Sequence, residues 1–183
     1  MAFNTKKFNE DSRVKIPAIL HLMRLGYKYL SLKGQSWDLD TNIFPDVFKA
    51  AIGKINPGIE DAEAGRLLED VKLLLDNEDL GKAFFERLSE RSNTKLIDFE
   101  NFNNNTFHVV TELTCKNGDD EFRPDITLLI NGMPLAVIEL KNPANEQTDV
   151  WDAFNQLQTY KDEISDLFNS NEALVVSDGW TAR

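Results

Sequence analysis

The segment Arg123-Pro124-Asp125-Ile126-Thr127-Leu128-Leu129-Ile130-Asn131-Gly132-Met133-Pro134-Leu135-Ala136-Val137-Ile138-Glu139-Leu140-Lys141 limits what this chain can fold into more than any other. It holds two apolar runs joined at Asn131-Gly132, a dipeptide suited to a tight hairpin because both residues tolerate a positive φ. Charges stand only at the ends remote from that turn. In the second run Leu135, Val137, Glu139 and Lys141 share one face, and Ala136, Ile138 and Leu140 share the other. Both faces are apolar until Glu139, and a strand of that kind is covered on both sides. The carboxylates and the amine at its end therefore lie beside a core rather than on a solvated surface.

Two carboxylates about 4 Å apart repel by roughly 4 kcal/mol at an effective dielectric near 20, and a divalent cation between them removes that penalty. Oxygen ligands suit Mg²⁺ or Mn²⁺. Register decides whether the two acids meet. A regular two-residue loop at Asn131 and Gly132 sets Asp125 against Ile138 and puts Glu139 on the opposite face. A three-residue loop with Gly132 in the left-handed conformation, or a bulge in either strand, brings Asp125, Glu139 and Lys141 to one face. The site thus requires a bulged or three-residue hairpin.

Pro-Asp followed by Glu-x-Lys at the end of the next strand resembles the PD-(D/E)xK nuclease superfamily. Within it, the surroundings are most similar to the N-terminal nuclease domain of the R (motor/restriction) subunit of type I restriction enzymes. The resemblance runs on through Asp149-Val150-Trp151-Asp152-Ala153-Phe154-Asn155-Gln156-Leu157-Gln158-Thr159-Tyr160 to Val175-Val176-Ser177-Asp178-Gly179. Gln156 and Tyr160 match the Gln-x-x-x-Tyr motif that such nucleases carry on the following helix. The resemblance implies a restriction-endonuclease-like α/β sandwich: a mixed central sheet flanked by helices, with an extra helical region at about 45–91. Residues 1–183 are read as one nuclease-like domain, helical over 1–92 with a catalytic α/β core over 93–183, and as a fragment of a longer subunit.

The roles implied follow residue by residue. Asp125 and Glu139 bind Mg²⁺, with Mn²⁺ as a substitute, and the carbonyl of Leu140 completes the protein ligands. The metal polarises the scissile phosphate and lowers the pKa of a bound water. Lys141 orients that water or offsets charge in the transition state. Family members often place an acidic residue of the first helix near the metal, and Glu10 is the match, although Glu10 and Asp11 equally complement the positive end of a helix dipole. Gln156 and Tyr160 share a helix face and support the site or touch DNA; Tyr160 also suits a core position. The substrate implied is double-stranded DNA, and the partners are a motor region of the same subunit and methyltransferase and specificity subunits. ATP would act only through that motor, since the chain has no Gly-x-x-x-x-Gly-Lys-Ser/Thr loop. An alternative reading keeps the nuclease fold as a catalytically silent docking module for a motor or methyltransferase partner. A weaker one is a repair nuclease that prefers DNA ends.

The net charge of -11 opposes tight DNA binding by the chain alone. Its distribution is uneven, however. Residues 1–33 carry seven basic residues, Lys15 among them, against Glu10 and Asp11, whereas residues 60–100 carry twelve acidic residues against six basic. The acidic region could face a partner or simply form solvated helix faces. A single cysteine excludes an internal disulfide, and no apolar leader or membrane-length run is present, which favours a cytoplasmic protein. His21 and His108 are too isolated for a zinc or Ser-His site.

Periodicity predicts a first helix from about Asn9 to Leu25, kinked or restarted at Pro17 and stopped by Gly26, then an extended stretch over Tyr27–Leu32. Helices follow from Pro45 to a stop at Gly53, around Leu67–Leu75, and around Leu80–Leu88. Strands are expected at Lys95–Phe99 and Phe107–Cys115, with Cys115 a small core residue. After the hairpin come a helix capped by Thr148, burying Val150, Ala153, Phe154, Leu157, Ile164, Leu167 and Phe168, and a last strand at Leu174–Ser177.

Overall fold

A computed structural model describes residues 14–90, 92–117, 120–141, 150–163, 168–177 and 182. Helix α1, Ile16–Arg24, has Pro17 in its first turn, where the missing N–H is harmless, and the two residues before the helix, Val14 and Lys15, are π-helical, so the α-helix restarts at the proline. Gly26, at φ 106°, follows its C-terminus. The short strand β1 is Lys28–Tyr29.

Three helices precede the main strands: α2 (Pro45–Ile55), α3 (Asp61–Leu75) and α4 (Lys82–Ser89). Helix α2 runs through Gly53, contrary to the expected stop, because Ile55 two residues further is buried and its packing outweighs the glycine penalty of about 1 kcal/mol. Helix α4 begins later than expected. Leu80, at φ 57°, is 90% exposed and precedes a left-handed Gly81, so it lies in the turn and not on the helix.

The expected strand at Lys95–Phe99 is absent; Leu96, Ile97 and Asp98 are buried in irregular chain. Side-chain amides replace the ladder that a neighbouring strand would supply. Asn56 Oδ1 accepts the Lys95 N–H and its Nδ2 donates to the Lys95 carbonyl, at 2.7 and 2.9 Å. Asn105 does the same for Asp98, at 2.9 Å each. Asn131 donates to the Leu96 carbonyl at 2.8 Å. Every one of these buried backbone groups is satisfied without a strand.

The sheet strands are β2 (Phe107–Thr111), β5 (Ile126–Ile130), β6 (Met133–Leu140) and β7 (Ala173–Ser177), with β1 at one edge, in the order β1-β2-β5-β6-β7. The outer pairs β1·β2 and β6·β7 are parallel, and β2·β5 and β5·β6 are antiparallel. A separate hairpin joins β3 (Cys115–Asn117) to β4 (Asp120–Phe122). The single strand expected over Phe107–Cys115 is broken because Glu112 turns at φ 53°.

Alternation along β5 and β6 sorts the core into layers. Ile126, Ile138 and Leu140 pack with Ala18, Ile19 and Leu22 of α1 on one face. Leu129, Val137 and Val176 pack on the other with Leu157, which belongs to helix α5 (Val150–Glu163). Toward the turn, Met133 and Leu135 join the core of α2, α3 and α4. Phe154 of α5 is 42% exposed and meets Trp151 edge-on, so it is not on the buried stripe as expected. Thr148, Ile164 and Leu167 lie outside the described residues, as do the side chains of Val150 and Ala153. Among the described residues no helix is long and apolar enough to cross a membrane.

Candidate active site

The hairpin turn has two residues, Asn131 and Gly132, at φ 52° and 82°. Ile130 pairs with Met133 and Leu129 with Pro134, but Leu128 pairs with Ala136, which leaves Leu135 as the extra residue of a bulge. From there the register is shifted by one. Ile126 pairs with Ile138, so the next positions outward, Asp125 and Glu139, stand opposite each other on one face. The alignment required of the sequence is achieved by the bulge, with the turn itself regular.

Asp125 is held at both oxygens. Its Oδ2 accepts the Leu140 N–H at 2.8 Å, and its Oδ1 lies 2.9 Å from the Lys15 ammonium. Lys15 also pairs with Glu112 and has a side chain only 11% exposed. Burial works against its charge, but hydrogen bonds to Asp125 and Glu112 and their attraction outweigh it and raise its pKa. Glu139 is 4% exposed. Its Oε1 is 3.5 Å from Lys141 Nζ, while its Oε2 is buried with no hydrogen-bond partner. Lys141 in turn donates to Oε1 of Gln156, brought in by α5.

Burial above all, then the negative charge of Asp125, pushes the Glu139 carboxyl up to about 7, against the opposing pull of Lys141. A buried carboxylate oxygen without a donor, beside a second carboxylate, suits a divalent cation. Among the described residues no three His, Cys, Asp or Glu side chains form a group that could hold a metal ion, so the acidic cluster there is the pair Asp125 and Glu139. Glu10 lies outside the described residues. Tyr160 lies on α5, and its side chain is likewise outside them. Cys115 is buried, and burial pushes its thiol up to about 12, as a small core residue requires.

Lys15 and Glu112 escape sequence reasoning. Lys15 reads only as one member of a basic N-terminal stretch, and Glu112 as part of a strand. The β2·β5 register brings them to the site: Thr111 pairs with Ile126, which sets Glu112 opposite Asp125 at the open end of the ladder.

Between about 4.5 and 7 the folded chain keeps a Glu139 proton that the unfolded chain has released, so stability falls as pH rises through that window. In EDTA at pH 8, Glu139→Gln is expected to be more stable than wild type by about 1–3 kcal/mol. The gap should shrink toward zero as the pH approaches 4.5. Thermal melts across this range check it; a pH-independent gap would mean that the Glu139 charge is not its source.

A five-stranded mixed sheet flanked by helices, with an acidic pair and a lysine at the end of its central hairpin, defines an α/β fold of the restriction-endonuclease-like class. The chain belongs to the family described as the type I restriction enzyme R protein N terminus, whose family profile matches residues 7–183. It is 35% identical over 162 residues to the type I restriction enzyme HindI endonuclease subunit of Haemophilus influenzae, covering 80% of this chain and 15% of that protein. A Methanocaldococcus jannaschii protein, provisionally named as the endonuclease subunit of type I restriction enzyme MjaIXP, is 35% identical over 201 residues, covering 94% of this chain and 19% of its own. The type I restriction enzyme SauMSSORF170P endonuclease subunit of Staphylococcus aureus is 31% identical over 122 residues, 66% of this chain and 12% of that subunit. The chain thus spans under a fifth of the length of these relatives.

Proposed function

We propose that this chain is the Mg²⁺-dependent endonuclease domain of a type I restriction-modification system, hydrolysing phosphodiester bonds of double-stranded DNA. The observation that carries this reading is the buried Oε2 of Glu139, without a hydrogen-bond partner, on the residue that the register sets across from Asp125. Asp125, Glu139 and the Leu140 carbonyl would hold the ion. When bound, such an ion polarises a phosphate oxygen and lowers the pKa of a water molecule. Lys141, tethered by Gln156 and Glu139, would orient the attacking water or offset charge on the transferring phosphate. Gln156 would then support the site by positioning Lys141. ATP would enter through a motor region of the same subunit, and methyltransferase and specificity subunits would be the partners.

Mn²⁺ titration followed by paramagnetic broadening of amide NMR signals tests the site without requiring the motor. Broadening centred on residues 125 and 139–141 in wild type, and lost in Asp125→Asn, is the expected result. No localised broadening, or broadening only over the acidic helices, would favour the silent docking module.

A further inference from the structure

The end of the sheet carries a row of charge that the two-carboxylate site does not use up. Glu112, Asp125 and Glu139 stand at successive register positions across β2, β5 and β6. Neighbouring strands are about 4.8 Å apart, so neither neighbour of Asp125 in that row is distant. The two gaps are filled differently. Between Glu112 and Asp125 sits the ammonium of Lys15, delivered by the start of α1 and paired with both. Among the described residues no one cation pairs with both Asp125 and Glu139, and Glu139 Oε2 has no hydrogen-bond partner. Lys141 approaches Glu139 through the other oxygen, Oε1.

We propose that Lys15 stands in for a second metal ion, so that the site takes one divalent cation, between Asp125 and Glu139, and not a pair. The inference rests on the nuclease reading of that site. An ammonium is a fixed single charge with three donors, and it satisfies both carboxylates without the dehydration that a small divalent ion demands. It also repels a divalent ion from the Glu112 side while leaving the Glu139 side open. Glu112 adopts a left-handed backbone that side chains other than glycine disfavour, and from there its carboxylate meets Lys15. Lys15 is on this account a positioning residue. It occupies Oδ1 of Asp125 while Leu140 N–H occupies Oδ2, which fixes the carboxylate that the metal shares.

Counting bound Mn²⁺ by electron paramagnetic resonance, with this chain at neutral pH and circular dichroism to confirm folding, tests the proposal. Wild type should bind one ion and Asp125→Asn none. Lys15→Gln should bind two, the second disappearing in Lys15→Gln/Glu112→Gln, while Lys15→Arg should return to one. A wild-type count of two, or a folded Lys15→Gln that still binds one, would overturn the proposal and leave the nuclease site standing. A wild-type count of zero would remove the nuclease reading and this inference together. If Lys15→Gln does not fold, the wild-type count and Glu112→Gln decide: one ion in both supports the proposal, and two in wild type overturns it.

Discussion

Asp125→Asn is expected to abolish DNA cleavage by the full-length subunit assembled with its partners, lowering the rate by at least about 10³-fold. Asparagine is preferable to alanine here. Asp125 accepts the Leu140 N–H and the Lys15 ammonium, so alanine would leave a buried donor and a buried cation unpartnered, at about 1–3 kcal/mol or more. Asparagine keeps an oxygen for Leu140 while removing the charge a metal needs. Lys141→Ala should also stop cleavage with the fold kept, because its partners Glu139 and Gln156 remain in place. Plasmid cleavage with ATP, beside thermal melts of the isolated chain, separates lost chemistry from lost folding. Normal cleavage by either variant would remove that residue from the catalytic set.

Gly132→Ala carries the largest expected effect on stability. A Cβ there would lie 2.7 Å from the Phe48 amide nitrogen and 2.9 Å from the Phe44 carbonyl oxygen, both backbone atoms of α2 and its start. The residue also has φ 82°, and Gly132 O accepts the Phe44 N–H at 2.9 Å, so it cannot back away without breaking that bond. Left-handed strain of about 1–2 kcal/mol adds to the overpacking, giving a loss of about 3 kcal/mol or more. For a chain of this size that lowers Tm by roughly 10 °C. Gly53→Ala is the contrasting control. It lies inside α2 with nothing within 4 Å of the added carbon, and it should raise stability by up to about 1 kcal/mol. A Gly132→Ala variant as stable as wild type would mean that the close approach to the Phe44 and Phe48 backbone does not constrain this position.

The hairpin was readable because its information is local. Asn131-Gly132 specifies the turn, two-residue alternation specifies the faces, and the demand that Asp125 meet Glu139 specifies a shift of one residue. That the shift falls at Leu135 is not local: it reflects how Leu135 leaves the β6 alternation to join the core of α2, α3 and α4. Lys95–Phe99 misled for a related reason. Its composition is that of a strand, but Asn56, Asn105 and Asn131, remote in sequence, supply its hydrogen bonds. Lys15 and Glu112 were invisible because nothing near either residue encodes the pairing of β2 with β5. Gln156 was legible as a motif member, yet its partner, Lys141, follows only from how α5 packs on the sheet.

Asn131 is fully buried, and its side chain joins Leu96, Asn105 and Thr106 to the hairpin tip, over which Phe44 and Phe48 close. All of those receiving groups precede Asn131 in the chain. On a ribosome, where synthesis runs from the N-terminus, the socket can therefore assemble before its plug emerges. Only α5 and β7, which follow β6 in the chain, remain to flank it. Assembly in this order brings Asp125 and Glu139 together late, after most of the surrounding core is already present to bear their repulsion.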